Sequence, residues 1–298
     1  MAIIRTPEER FSNVKNYPFK PNYVEVDDGL RMHYVDEGPK DSNEVVLMMH
    51  GEPAWSYLYR NMIPVCVKAG HRVIAPDLIG FGKSDKYTEY KDYSYANNVK
   101  WITNFIKAID LKNITLVCQD WGSLIGLRVA AENEERFARI AIGNGGLPTG
   151  ELTLPKAFFA WRAFARYSPI FPIGMILNGG SLRKLTSDEI AAYNAPFPTK
   201  AHKVSTRVFP RLVPASESDP ASEANKAAWE VLKKWEKPFL TCFSSGDPVT
   251  RGGHRYLQKM IPGAKGMPHV TLNGGHFLQE DSPVEFATAV NDLIGATG

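Results

Sequence analysis

The stretch VCQDWGS, Val117 to Ser123, joins an apolar run to a helical pattern through a carboxylate. Ile114 to Cys118 reads as a buried strand, and Gly122 to Glu132 as a helix. Asp120 sits at the junction with Trp121 beside it. An aspartate there has two readings. It can cap the following helix, or it can be presented by a sharp strand-turn-helix at the carboxyl edge of a sheet, where open α/β sheets form their ligand crevices.

The same rhythm continues outward. EVVLMMH (44–50) is a second apolar strand and runs into HGEP. Residues 56–69 read as a helix that stops at Gly70, and HRVIAPD (71–77) as another strand. Val99, Ile102, Phe105, Ile106 and Ile109 recur at helical spacing over 95–110, and RFARIAIGN (136–144) is strand-like. YVEVDDGLRMHYVDEG (23–38) predicts two antiparallel strands around a turn at Asp28-Gly29. Apolar strands alternating with helices imply an α/β protein with a mostly parallel sheet covered on both faces, the leading hairpin forming an antiparallel edge.

From Leu147 to Trp229 the alternation stops. FFAWRAFARYSPIFPIGMI (158–176) and APFPTKAHK (195–203) carry aromatics, prolines and short helical pieces. The expected organisation is a core of residues 1–146 and 230–298 with an inserted helical cap, 147–229. The rhythm resumes with PFLTCFSSGD (238–247), a helix around 256–260 and HVTLNGGH (269–276). Ser282, Pro283 and Glu285 predict a final helix opened by a capping box.

Composition narrows the function. The 298 residues carry 35 basic and 32 acidic side chains, a net +3 that gives no reason to expect a nucleic-acid partner. Three cysteines, Cys66, Cys118 and Cys242, read as buried thiols. No CxxC or HExxH pattern supports a metal site. The N-terminus is charged and lacks the apolar core of a secretory signal, and no run is long enough to span a bilayer. A cytoplasmic protein without a membrane partner is the expectation. GFGKS (80–84) echoes the end of a P-loop, but the glycine needed five residues before Gly82 is Asp77, so these glycines read as a tight turn.

Asp120, Asp247 and His276 each follow a strand, in the chain order nucleophile, acid, histidine. With HGEPAW (50–55), APDLIGFGKSD (75–85), QDWG (119–122), GD (246–247) and GGHF (274–277), the chain resembles an α/β-hydrolase-fold enzyme, and within that fold a haloalkane dehalogenase. The resemblance covers nearly the whole chain and is weakest in the cap. Cys118 stands where the nucleophile turn usually has its first glycine. A carboxylate nucleophile is the informative change. A serine attacking a saturated carbon would form an ether that water cannot readily cleave, whereas a carboxylate forms a hydrolysable ester.

The resemblance implies Asp120 as nucleophile, His276 as general base and Asp247 as the acid that orients it. Asp247 also lies in a strong turn signal, SSGDPV (244–249). Relatives that place the acid after the preceding core strand would need it in GNGG (143–146), where Asn144 cannot serve. The oxyanion hole maps to the backbone N–H groups of Glu52 and Trp121. For the departing halide, the resemblance implies indole donors from Trp121 and from Trp161 in the cap, because the asparagine some relatives use is replaced by Glu52, which cannot donate when ionised. Trp161 also fits as packing between cap helices.

Phe158, Phe159, Phe164, Phe171 and Phe197 are candidate pocket walls, Trp229 and Trp235 candidate core, and the remaining histidines, including His50, structural. The expected substrate is a haloalkane with water, the products an alcohol and a halide, and no cofactor is required. An epoxide hydrolase, with Tyr167 and Tyr193 as proton donors, and a non-catalytic ligand-binding protein are the alternatives.

Overall fold

The computed structural model describes residues 2–298. Eight strands form one sheet: β1 (Asn22–Asp27), β2 (Leu30–Glu37), β3 (Val45–Met49), β4 (Arg72–Pro76), β5 (Ile114–Cys118), β6 (Phe137–Ile142), β7 (Phe239–Ser244) and β8 (Val270–Leu272). Their order is β8-β7-β6-β5-β3-β4-β2-β1. β3 to β8 pair in parallel, while β2 runs antiparallel to both β1 and β4. Every residue of β3, β5 and β7 is buried, as a sheet covered on both faces requires. Gly29, at φ +65°, makes the β1–β2 turn.

The covering helices are α1 (Ile63–Lys68), α2 (Tyr95–Ala108), α3 (Trp121–Glu132), α9 (Gly253–Met260), α10 (Leu278–Asp281) and α11 (Pro283–Thr297). Between β6 and β7 the described residues are helical or irregular, with α4 (Lys156–Tyr167), α5 (Ile173–Gly180), α6 (Ser187–Asn194), α7 (Val204–Leu212) and α8 (Ser222–Leu232). α4 packs on α7 and α5 on α6, whereas α8 lies against α3. There Arg128 Nη1 donates to Asn225 Oδ1 at 2.9 Å.

Two local expectations change. The helix expected over 56–69 divides into a 3₁₀ turn at Ser56–Tyr59 and α1, because Pro64 has no N–H to give and its ring clashes with the preceding turn. The capping box at α11 does not form. Pro283 opens the helix, but the Ser282 hydroxyl donates instead to the Asn273 carbonyl at 2.8 Å.

The turn 77–85 is filled by its own aspartate. Asp77 accepts from the backbone N–H of Ser56 (2.7 Å) and Lys83 (2.8 Å) and pairs with His33 Nδ1 (2.8 Å). Burial opposes its charge, but His33 and these donors hold it well below the usual carboxylate range. Gly80 and Gly82 have φ of +95° and +46°, and a Cβ on Gly82 would collide with the Asp77 carboxylate.

A buried ionic cluster fastens the α5–α6 corner to the sheet. Arg60 bridges Glu280 (2.5 Å) and Glu189 (2.8 Å), Arg183 contacts both glutamates, and the Tyr193 hydroxyl donates to Glu280. Arg60 and Glu280 have no exposed side-chain surface. Removing either would leave the other with only its outer partner, Glu189 for Arg60 or Arg183 for Glu280, and so weaken a buried ionic network.

Candidate active site

β3 and β5 are neighbours with Met49 opposite Cys118, so the residues that follow them emerge side by side. Asp120 stands between β5 and α3 with φ +50° and ψ −128°. A non-glycine residue there costs ~1–3 kcal/mol and persists only where its surroundings impose it. The surroundings do so. Asp120 N–H donates to the Asn144 carbonyl (3.0 Å), and its own carbonyl accepts from the Ser123 (2.9 Å) and Leu124 (3.2 Å) N–H groups. A Cβ on Gly122 would strike the Met49 carbonyl, and one on Gly51 would strike the Asp120 side chain. The small residues around Asp120 are therefore required by close approach.

The Asp120 side chain makes no cap to α3. One carboxylate oxygen accepts the Glu52 backbone N–H at 2.7 Å. The other lies 3.6 Å from His276 Nε2. On its far side, His276 Nδ1 meets Asp247 at 3.1 Å. Asp247 is itself pinned by the N–H groups of Val249 (2.8 Å) and Thr250 (3.2 Å) and by the Thr250 hydroxyl. As the first residue of α3, Trp121 carries a backbone N–H without an intrahelical acceptor beside the same carboxylate.

The charges follow this geometry. Burial opposes a positive His276, but hydrogen bonds and charge from Asp120 and Asp247 override it and raise the imidazole to about 10. Burial likewise opposes a negative Asp247, and His276 with the Thr250 and Val249 donors holds it at about 2. Glu52 goes the other way. Burial first, then the charge of Asp120, pushes its carboxyl well above the usual range; His276 and the Trp161 indole offset this only in part. Its Oε1 has no partner. The sequence argument treats Glu52 as ionised and unable to donate, whereas its surroundings favour the neutral form, which has a proton to give.

These groups open into a cavity of about 1040 Å³ beneath α4 and α5, lined by Glu52, Asp120, Trp121, Trp161 and His276 among apolar side chains. Tyr95 and Phe209 pack on the Trp121 ring with centroids at 5.3 and 4.7 Å. Phe164 and Phe171 pack on Trp161 at 5.7 and 5.6 Å.

Other candidates fall elsewhere. Of the five phenylalanines expected as pocket walls only Phe158 lines the cavity. Phe159 and Phe164 are partly exposed, and Phe171 and Phe197 are buried against other rings. Trp229 and Trp235 are both buried in the core as expected, and Trp229 also lines the cavity while its indole donates to the Leu147 carbonyl at 2.8 Å. Tyr167 is exposed and Tyr193 is tied to Glu280, so neither reaches the cavity. His50 is structural: Nε2 accepts the Leu78 N–H (3.0 Å) and Nδ1 donates to Gly51 O (2.8 Å).

Sequence reasoning missed the supports. Gln119 Nε2 lies 3.2 Å from both His276 Nε2 and the His276 carbonyl. Asn144 Nδ2 donates to the carbonyls of Gly275 (2.8 Å) and His276 (3.0 Å). Thr250, three residues after Asp247, is the one support with a local signal. Among the described residues no group of three or more His, Cys, Asp or Glu side chains is arranged for a metal ion, and no helix is long and apolar enough to cross a membrane.

Comparison with known proteins shows the family and the fold. The alpha/beta hydrolase fold family matches residues 44–283. The chain is 55% identical to a haloalkane dehalogenase of Psychrobacter cryohalolentis, covering 99% of this chain and 98% of that protein. It is 50% identical to one of Mycolicibacterium paratuberculosis over 97% of each. Among solved structures, the tetrameric haloalkane dehalogenase DpaA of Paraglaciecola agarilytica superposes with a TM-score of 0.90 at 38% identity, covering 97% of both chains.

Proposed function

The chain belongs to the haloalkane dehalogenase family within the α/β hydrolase fold, and from that membership we propose that it hydrolyses haloalkanes to an alcohol and a halide through an ester on Asp120. An Asp120 oxygen attacks the carbon that bears the halogen. The carbon–halogen bond breaks with its electron pair, and the halide leaves toward the indole N–H groups of Trp121 and Trp161. Both donors sit in an apolar cavity, where a weakly hydrated anion suits them.

The second step removes the ester. Forming it consumes the negative charge of Asp120, one of the two charges that keep His276 protonated. The imidazole can then release its proton and act as base. It takes a proton from water as the water oxygen attacks the Asp120 carbonyl carbon. The backbone N–H groups of Glu52 and Trp121 hold the resulting oxyanion. Collapse expels the alkoxide, which recovers the proton from His276 as it leaves as alcohol, and Asp120 keeps one oxygen from water. Asp247 holds the imidazole tautomer and offsets the imidazolium. Water is the co-substrate, and neither a metal nor an organic cofactor enters.

One observation carries this reading: the Asp120 carboxylate lies between the Glu52 N–H and His276 Nε2 at the floor of an apolar cavity. Tyr167 and Tyr193 lie away from that cavity, so the proton donors an epoxide hydrolase needs have no support there. The same reading takes 1–146 and 230–298 as the core and 147–229 as the cap, with α8 at their boundary, and places the protein in the cytoplasm. The test is halide release from short bromoalkanes, with Asp120→Asn as the control. The native chain is expected to release bromide and the variant none. Bromide release by freshly prepared Asp120→Asn at the native rate would overturn the assignment.

A further inference from the structure

We propose that the Gly180 carbonyl, from the cap, and Asp281 of α10, which ties the histidine loop to the cap, position His276 and so control hydrolysis of the ester without touching its formation. The inference rests on the reading of His276 as the base.

The loop that carries His276 is suspended between two bodies. Its carbonyls are held by the core: Gly275 O accepts from Asn144 Nδ2 (2.8 Å) and Ser244 Oγ (2.7 Å), and His276 O from Asn144 Nδ2 and Gln119 Nε2. Its N–H groups are held from the other direction. His276 N–H donates to the Gly180 carbonyl at 2.7 Å, and Gly180 is the last residue of α5. Gly275 N–H donates to Asp281 Oδ2 at 2.8 Å. The same carboxylate receives the N–H groups of Leu182 (2.9 Å) and Arg183 (2.8 Å), which follow α5. Asp281 thus gathers three backbone donors, one from the histidine loop and two from the cap.

The contact leaves no slack. A Cβ on Gly275 would collide with the Gly180 carbonyl, and one on Gly180 would sit 2.6 Å from the Phe277 ring. Met175, Ile176, Gly179 and Gly180 of α5 line the cavity. The wall that meets the alkyl group and the residue that activates water are therefore mechanically joined. Asp281 reaches neither substrate nor reacting atoms, so it is a positioning residue.

Attack on the haloalkane needs Asp120 and the indole donors but not His276, so a displaced imidazole slows the second step alone. The experiment is rapid-quench mass spectrometry of the full chain turning over 1-bromobutane, read as the fraction carrying a butyl group, with thermal melting as the check of folding. Asp281→Ala is expected to alkylate within about 3-fold of the native rate and to hydrolyse the ester at least about 10-fold more slowly, as a small misplacement of a reacting group does. The ester then accumulates. Asp281→Asn keeps one acceptor oxygen and should fall between. Asp281→Asn, nearly isosteric with the native residue, decides the matter if Asp281→Ala does not fold. Partial unfolding lowers both steps together and cannot produce this pattern. Folded Asp281→Ala, or Asp281→Asn where the alanine variant does not fold, that hydrolyses the ester at the native rate overturns the proposal, while accumulation in His276→Ala under the same conditions keeps the reading of His276 intact. Absence of ester in His276→Ala overturns both.

Discussion

Replacing Asp247 by Asn separates the charge of the acid from its shape. The native carboxylate accepts from Val249 on one oxygen, and from Thr250 and His276 on the other. An asparagine whose oxygen faces Thr250 and His276 keeps the imidazole oriented, while its amide nitrogen then meets the Val249 N–H, so that one hydrogen bond is lost together with the negative charge. The fall of Asp247 from 3.8 to about 2 is the net of His276, Thr250 and Val249 acting against burial, and it scales the loss at ~2 kcal/mol. His276 rises further, but its rise also contains the attraction of Asp120, so Asp247 is the better measure. The hydrolysis step, in which the imidazolium forms, should therefore slow by up to ~30-fold in Asp247→Asn. Alkylation should stay near the native rate. Because the carboxylate is depressed on folding, its contribution to stability is full above pH 3.8 and is lost as pH falls toward about 2. The stability gap between native and variant should therefore be present at pH 7 and shrink across that acid window. Quench-flow with mass detection measures the two steps, and urea melts at several pH values measure the gap. Alkylation slowed as much as hydrolysis, or a stability gap that persists unchanged at pH 2, would refute the reasoning.

Three further outcomes are expected. Trp161→Phe removes an indole donor facing the cavity and should weaken bromide binding by ~10-fold or more, read from quenching of the remaining tryptophans; an unchanged dissociation constant would exclude Trp161 as a halide donor. Glu52→Gln replaces a carboxyl that burial keeps neutral with a neutral amide, so halide release at pH 7 should stay within about 3-fold of native, within the few tenths of a kcal/mol expected of a like-for-like neutral replacement; a hundredfold loss would mean that the charged form acts. Acidifying the native enzyme should raise the steady-state share of ester, since His276 beside an esterified Asp120 loses one support for its proton and must be neutral to serve as base; a share that stays flat from pH 9 to pH 5 would argue for another base.

The strand-helix alternation was legible because β3, β5 and β7 are buried along their whole length, which leaves uninterrupted apolar runs. Asp120 and Asp247 were legible because each follows such a run and His276 because it follows the short strand β8, which is buried only at Leu272; the structure brings the three within hydrogen-bonding or near-contact distance. What escaped depends on contacts remote in sequence. Gln119 and Asn144 matter through one loop more than a hundred residues away. The upward push on the Glu52 carboxyl comes from burial and then from the charge of Asp120, and no local pattern encodes burial. The cap aromatics failed as pocket walls because Phe159 and Phe164 face outward while Phe171 and Phe197 find other rings, a choice made by tertiary packing rather than residue type.

The ionic cluster around Arg60 and Glu280 also makes one flank of the cap costly to open. Lifting α6 would take Glu189 and Tyr193 away from the buried Arg60–Glu280 pair, which has no exposed surface from which to recruit water. On another side of the cavity, lined by Thr149, Leu152, Pro155, Lys226 and Tyr256, the ionic tie between residues 147–155 and α8 is the half-exposed Lys226–Glu151 pair at 3.2 Å. Opening there breaks a pair that water can replace at little cost, so the charge distribution favours that side over α6 for the passage of alkyl halide and products.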